Sequence, residues 1–236
     1  MNDTPEFSAD GAPIYRHQAP VSPGEWVTGD SENIALISAH IETHIGPVET
    51  VFHELISTSV HIDVHIVAPT EDRPFYTLVT SGMSDRPMTV PEGAENLRYA
   101  ELVLCLPADW PMGDEAWKDE NNYWPIRALK TLARFPHEYQ TWLCVDHTVP
   151  NGNPPQVYAP NCPYACALIG PVMSVSLDFA QLVVNPEKAI HFFGVHFIYQ
   201  DELQFKLEAG VEPLLEAFDA VDHTELVDIT RECVVE

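Results

Sequence analysis

The sequence predicts an α+β domain, and three observations carry that prediction. Short β-branched and aromatic runs come in two groups, with helical patterns before, between and after them, rather than in a repeating strand-helix alternation. The run Val60–Ile66 alternates apolar and polar residues, a pattern typical of antiparallel sheets. The chain has 236 residues and is 45% hydrophobic, enough for one sizeable core.

In chain order, residues 1–24 carry Pro5, Pro13, Pro20 and Pro23 with little apolar periodicity. They are expected to form an extended or mobile arm, with the domain proper over 25–236 and ordered structure beginning near Trp26. The segment DSENIALISAHIETHIG places Ile34, Ile37, Ile41 and Ile45 at helical spacing, with Ser31 as the expected N-cap and Gly46 and Pro47 as the stop. VETVFHELI, VHIDVHIVAP, FYTLVTSG and AELVLCLP then read as consecutive strands bounded by turn formers. In the second of these, Val60, Ile62, Val64 and Ile66 are expected to face a core, and His61, Asp63 and His65 to face solvent or a polar cover.

After a turn-rich acidic stretch, Ile126, Leu129, Leu132 and Ala133 predict a second helix. Pro125 is placed in its first turn and its end near Pro136. NGNPPQVYAPNCP is a loop. ALIGPVMSVSLDFAQLVV and AIHFFGVHFIYQ read as two further strands, the first open to a break at Pro171. The final pattern, from Leu203 to Phe218, is helical with a kink or split expected at Pro213.

Eleven Lys and Arg stand against 36 Asp and Glu, a formal charge of −25. Nucleic acid and anionic membrane surfaces are therefore excluded as expected partners, whereas a basic protein would be attracted and steered. No run of 18 apolar residues occurs and the N-terminus has no signal-peptide pattern, so a soluble, cytoplasmic protein is expected. Five cysteines without a framework of close pairs point to reduced thiols. The lone C-x3-C pair, Cys162 and Cys166, has no second ligand pair at zinc-finger distance.

Two constellations suggest chemistry. His61, Asp63 and His65 have alternate spacing on one strand face, but the first and third lie about 13 Å apart along a flat strand, so the three cannot share an ion. Two of them with His53 could. Ser84 and Asp85, with His147 further on, invite comparison with a hydrolase, yet no G-x-S-x-G elbow is present and an ordinary turn closed by side chains accounts for the serine and aspartate. Phosphate-cradling and HExxH signatures are also missing. The expectation is a non-enzyme with no catalytic residue, metal or cofactor.

Four stretches, HIDVHIVAPTEDRPFYTLVTSGMSDRPM (61–88), YAELVLCLPADW (99–110), YWPIRALKTLARFPHEYQTWLCVDHTVP (123–150) and FFGVHFIYQDELQFKLEAGVEPLLEAF (192–218), together resemble the suppressor of fused family in its bacterial single-domain form. The resemblance implies a single domain with a mixed, mostly antiparallel sheet flanked by helices, acting by protein binding. The best-known animal member clamps a transcription-factor peptide between two domains. That clamp is not expected to carry over to 236 residues. Bacterial members have been proposed to be immunity proteins that neutralise secreted toxins. The matching positions are Gly82, Ser84 and Asp85 in the turn, Trp124 and Pro125 at the second helix, and His147 and Thr148 beyond it.

The leading expectation is thus an immunity-type protein that binds a basic toxin. The alternatives are a metal-dependent or hydrolytic enzyme using His61, Asp63 and His65 or Ser84 and His147, and an acidic scaffold that recruits a basic partner.

Overall fold

A computed structural model describes residues 6–17, 29–53 and 60–235. Within the expected arm, β1 (Glu6–Phe7) and β2 (Pro13–Ile14) form a small antiparallel hairpin. It rests on the body, since the Ala9 amide donates to the Leu207 carbonyl at 2.9 Å and the His17 ring meets Phe135 edge-on at 5.3 Å. Residues 1–5 and 18–24 of the expected arm, and Trp26 as the expected start of ordered structure, lie outside the described residues.

Helix α1 (Ser31–His44) starts one residue earlier than expected. Its N-cap is Asp30, whose carboxylate accepts from the Glu32 and Asn33 amides at 3.0 and 3.3 Å, and Ser31 is the first helical residue. Strands β3 (Val48–Phe52), β4 (Asp63–Val67), β5 (Phe75–Ser81) and β6 (Ala100–Pro107) follow as an antiparallel run. Residues 54–56 of the first expected strand lie outside the described residues.

Helix α2 (Glu120–Tyr139) extends beyond both expected limits. It starts at an Asp119 cap and passes through Pro125 and Pro136, ending at Gln140 in the left-handed region at φ 51°. A proline inside a helix removes one hydrogen bond. The carbonyl of Asn121, four residues before Pro125, instead accepts from Asn161 Nδ2 at 3.5 Å. The buried stripe of Ile126, Leu129, Leu132 and Ala133 outweighs the two lost bonds.

β7 (Thr148–Pro150), β8 (Cys166–Gly170), β9 (Gln181–Asn185) and β10 (Lys188–Ile198) complete the sheet. β8 stops just before Pro171, and a 3-10 turn at Leu177–Ala180 separates it from β9. The last helical pattern splits into α3 (Gln200–Ala209) and α4 (Val211–Asp219). The break falls at Gly210, with φ 92°, rather than at Pro213, which fits the first turn of α4.

Among the described residues the main sheet has eight strands in the order β3-β4-β5-β6-β10-β8-β7, with β9 beside β10. Only the β6/β10 pair is parallel. This is the mixed, mostly antiparallel sheet of a single α+β domain. One face buries Ile62, Val64, Leu78, Leu102, Leu104 and Phe193 together with the α2 stripe. The other buries Val67, Val79, Val103, Ile190 and Phe192 together with Ile37 and Ile41 of α1.

Both faces are therefore covered, which corrects the half-wet reading of β4. Asp63 is 1% exposed and His65 0%, because α1 lies over the face on which the alternation placed polar residues. No helix among the described residues is long and apolar enough to cross a membrane.

Candidate functional site

The turn Gly82–Asp85 closes β5 and docks on β6, where Glu101 is the single acid in an otherwise apolar strand. Glu101 is 0% exposed. Its Oε1 accepts from the Gly82 amide at 3.0 Å, the Ser84 amide at 2.9 Å and the Ser84 hydroxyl at 2.6 Å. Its Oε2 accepts from the Thr80 hydroxyl at 2.6 Å, and Thr80 Oγ1 itself accepts from the Leu102 amide at 2.8 Å.

Gly82 makes this geometry available. Its φ of 108° suits glycine, and a Cβ would stand 1.8 Å from the carbonyl oxygen of His61. Gly82 and the short 3-10 turn that follows it, Met83–Asp85, point two amides at one carboxyl oxygen.

The network continues into α1. Asn33, 2% exposed, donates through Nδ2 to Ser84 Oγ at 3.0 Å and to Asp85 Oδ1 at 2.7 Å. The Asp30 amide donates to Asp85 Oδ2 at 2.9 Å. Lys188 Nζ donates to Asn33 Oδ1 at 3.0 Å and lies 5.1 Å above the Tyr99 ring. On the other side His137 of α2 donates to the Met83 carbonyl at 2.8 Å. One turn thereby ties β5 and β6 to both flanking helices.

Burial sets the electrostatics of this cluster. It pushes the Glu101 carboxyl up to about 7 against the opposing pull of the Ser84 and Thr80 hydrogen bonds, with Asp85 adding to the rise. Burial also raises Asp85 and lowers His137.

The other sequence-selected positions are held elsewhere. Trp124 is 0% exposed, stacked on Tyr158 at 5.5 Å and edge-on to Phe197 at 4.8 Å, and Pro125 is buried beside it. His147 packs edge-on against Trp142 at 4.7 Å, and Thr148 Oγ1 accepts from Lys206 Nζ at 3.4 Å. Ser84 and His147 therefore have separate partners, and the buried Ser84 hydroxyl is committed to a carboxyl group rather than to an imidazole.

The histidine triple also divides. His61 Nε2 and His53 Nδ1 both meet Asp63, at 3.0 and 2.9 Å, while His65 Nε2 lies 2.9 Å from Ser81 Oγ. Burial drives His65 down to about 4, so this imidazole is neutral at ordinary pH. No group of three His, Cys, Asp or Glu side chains among the described residues is arranged to hold a metal ion.

Sequence reasoning missed Glu101, Asn33 and Thr80 as members of the cluster. The available signal was an acid inside AELVLCLP, since a carboxyl group in a strand with apolar neighbours on both sides needs donors from elsewhere in the fold.

Residues 58–232 match the family model described as Suppressor of fused protein. No curated protein matches the chain. Among solved structures, a suppressor of fused homolog from Neisseria gonorrhoeae superposes with a TM-score of 0.63 at 18% identity, covering 88% of this chain and 99% of that one. The Sufu-Fu complex gives 0.50 at 14% identity, covering 74% and 77%. Drosophila Suppressor of Fused gives 0.50 at 13% identity, covering 74% of this chain and 42% of that one. At these identities the likeness is one of fold. The family model spans well over half of the 236 residues and includes the Gly82–Asp85 turn and its Glu101 anchor, and the chain belongs to the suppressor of fused family.

Proposed function

We propose that the chain is a non-enzymatic protein-binding domain of the immunity type, which binds and neutralises a basic toxin. The observation that carries this reading is the charge of −25 on a domain most of whose cations are already engaged. Arg16, Lys118, Arg127 and Arg231 are in ion pairs with Glu6, Glu115, Glu120 and Glu202. Lys130 lies over the Phe52 ring and Arg73 donates to the Ala68 and Phe75 carbonyls. The acids are in large excess over the cations available to neutralise them, and such a field attracts and orients a cationic partner.

The family supports protein binding, since a relative of the same fold has been crystallised in complex with Fu. The Ser84 hydroxyl, the candidate nucleophile, is occupied inside the core, which favours a binding role over hydrolysis.

The test is co-expression with the product of the adjacent gene, followed by titration calorimetry of the purified pair. A toxic neighbour whose toxicity is relieved, and whose binding weakens steeply as salt rises, supports the reading. Binding without relief of toxicity would make the chain a scaffold instead. A neighbour that is neither toxic nor bound at micromolar concentration would sink both readings.

A further inference from the structure

β6 and β10 pair only from Ala100 to Val103, and beyond Gly194 β10 continues with β8 on its other edge. The slot this leaves beside β6 is filled by Glu225–Val227 of the chain's own segment 223–235. The Cys105 amide donates to the Glu225 carbonyl at 3.1 Å, the Val227 amide donates to the Cys105 carbonyl at 2.9 Å, and Leu226 bridges in parallel to Cys105.

Beyond the slot, the segment is pinned by Arg231. Its guanidinium pairs with both oxygens of buried Glu202 on α3, at 2.6 and 2.8 Å, and lies 5.1–5.5 Å from the ring centres of Tyr164, Tyr199 and Phe218. The Tyr164 and Tyr199 hydroxyls donate to the carbonyls of Asp228 and Arg231.

The near end of the segment carries a histidine in a setting suited to the neutral ring alone. The His223 ring packs at a tilt against Phe218 of α4, with centres 4.4 Å apart, and lies 5.4 Å from His196 of β10. Its Nε2 is buried with no hydrogen-bond partner. The charges acting on it, His196 and Arg231, disfavour a further proton, the acids Glu225 and Glu202 are committed to other donors, and Asp219 of α4 and the adjacent Asp222 are exposed to solvent. Arg231 of the segment is a cation. His196 gives its Nε2 to the Pro171 carbonyl at 3.1 Å. Glu225 accepts from the Met173 and Ser174 amides at 3.1 and 2.9 Å, with the Cys105 thiol of β6 at 4.0 Å. Glu202 is held by Arg231.

We propose that residues 223–235 are an acid-released latch, in which protonation of His223 against His196 and Arg231 frees the segment from the slot beside β6. Burial, with His196 and Arg231 adding to it, holds His223 down to about 3. Burial also lowers His196, outweighing the opposing effects of its hydrogen bond to the Pro171 carbonyl, of Glu225 and of the Thr224 backbone. The released imidazole takes up its proton at about 6.5. The latch is therefore fully closed above pH 6.5, and its closure weakens as pH falls below that value towards 3. Opening uncovers the Cys105 amide and carbonyl on β6 together with the Tyr164 and Tyr199 hydroxyls.

Hydrogen exchange on the full chain at pH 8 and pH 5, corrected for the intrinsic chemical rate, tests this. The opening constant of 223–235 should rise about 30-fold, the ratio expected for a proton bound only in the open state. Amides of Leu129–Ala133 should change far less. His223→Phe keeps the ring contact with Phe218 and should cut the rise well below that of the wild type over the same range, leaving only the part due to His196. Equal loss of protection in wild type and variant, no change in either, or simultaneous loss across the whole chain would each overturn the latch. If the variant does not fold, NMR titration of the wild-type His223 ring decides. A midpoint near 6.5 with 223–235 still protected refutes the proposal, and a midpoint reached only as the segment loses protection supports it.

Discussion

The Ser84 hydroxyl donates to Glu101 across 2.6 Å, and the Ser84 amide donates to the same carboxyl oxygen at 2.9 Å. A single residue thus grips a fully buried acid through both side chain and backbone. The Gly-Met-Ser-Asp turn is the means by which the sheet accommodates that acid.

The Glu101 carboxyl is raised to about 7 from 4.5, so the folded state holds a proton between those values that the unfolded chain has released. Its contribution is fully present below pH 4.5 and is lost as pH rises through 7, a difference on the order of 3 kcal/mol. Glu101→Gln keeps the oxygen that accepts three donors and offers an NH2 to Thr80 Oγ1. Urea denaturation should show a variant that gains on wild type as pH rises from 4.5 to 8. Parallel stability curves would refute the assignment.

Gly82→Ala meets two obstacles at once, a φ of 108° and a carbonyl oxygen 1.8 Å from the new Cβ. Backbone atoms on both sides must move, and we expect a loss above ~3 kcal/mol, measured by thermal or chemical denaturation. A loss below 1 kcal/mol would show that the turn is not the anchor described.

Asp85→Ala removes the acceptor of both the Asp30 amide and Asn33 Nδ2, unfastening the start of α1 from β5. About 1–3 kcal/mol should be lost. Hydrogen exchange should place the change in residues 29–37 rather than in α2. Uniform loosening of both helices would argue against a local fastening.

Arg231→Ala leaves the Glu202 carboxylate buried with only the Tyr199 and Val234 amides as donors. The cost should be about 3–5 kcal/mol, and Glu202→Ala should be similarly severe. The double variant should cost much less than the sum of the two, because neither charge is then stranded. Simple additivity in the denaturation cycle would mean that the pair is not coupled.

The elements recoverable from sequence were those whose patterns are local. α1 followed from isoleucines at helical spacing, the β4 to β6 run from β-branched segments between turn formers, and the split of the last helical pattern from a proline inside it, although the break falls at Gly210 rather than at Pro213. Boundaries were less accessible where a tertiary contact competes with a local rule. α2 continues through Pro125 and Pro136 because its buried stripe outweighs two missing bonds. Asp30 displaces Ser31 as the cap of α1, in a position where its own amide reaches Asp85.

By itself, the sequence determined the fold class, the family and the acidity, since composition, periodicity and motif order are properties of the chain read along its length. Tertiary structure alone decided what the polar residues do. Alternation over 60–66 gave His61, Asp63 and His65 a common face, but whether that face is wet depends on α1, which packs there. Glu101 and Ser84, seventeen positions apart, became a pair only when β5 and β6 paired and the turn closed over them. The reason is physical: a buried polar group must find its partners in space, and spacing along the chain does not specify those partners until the layers have packed.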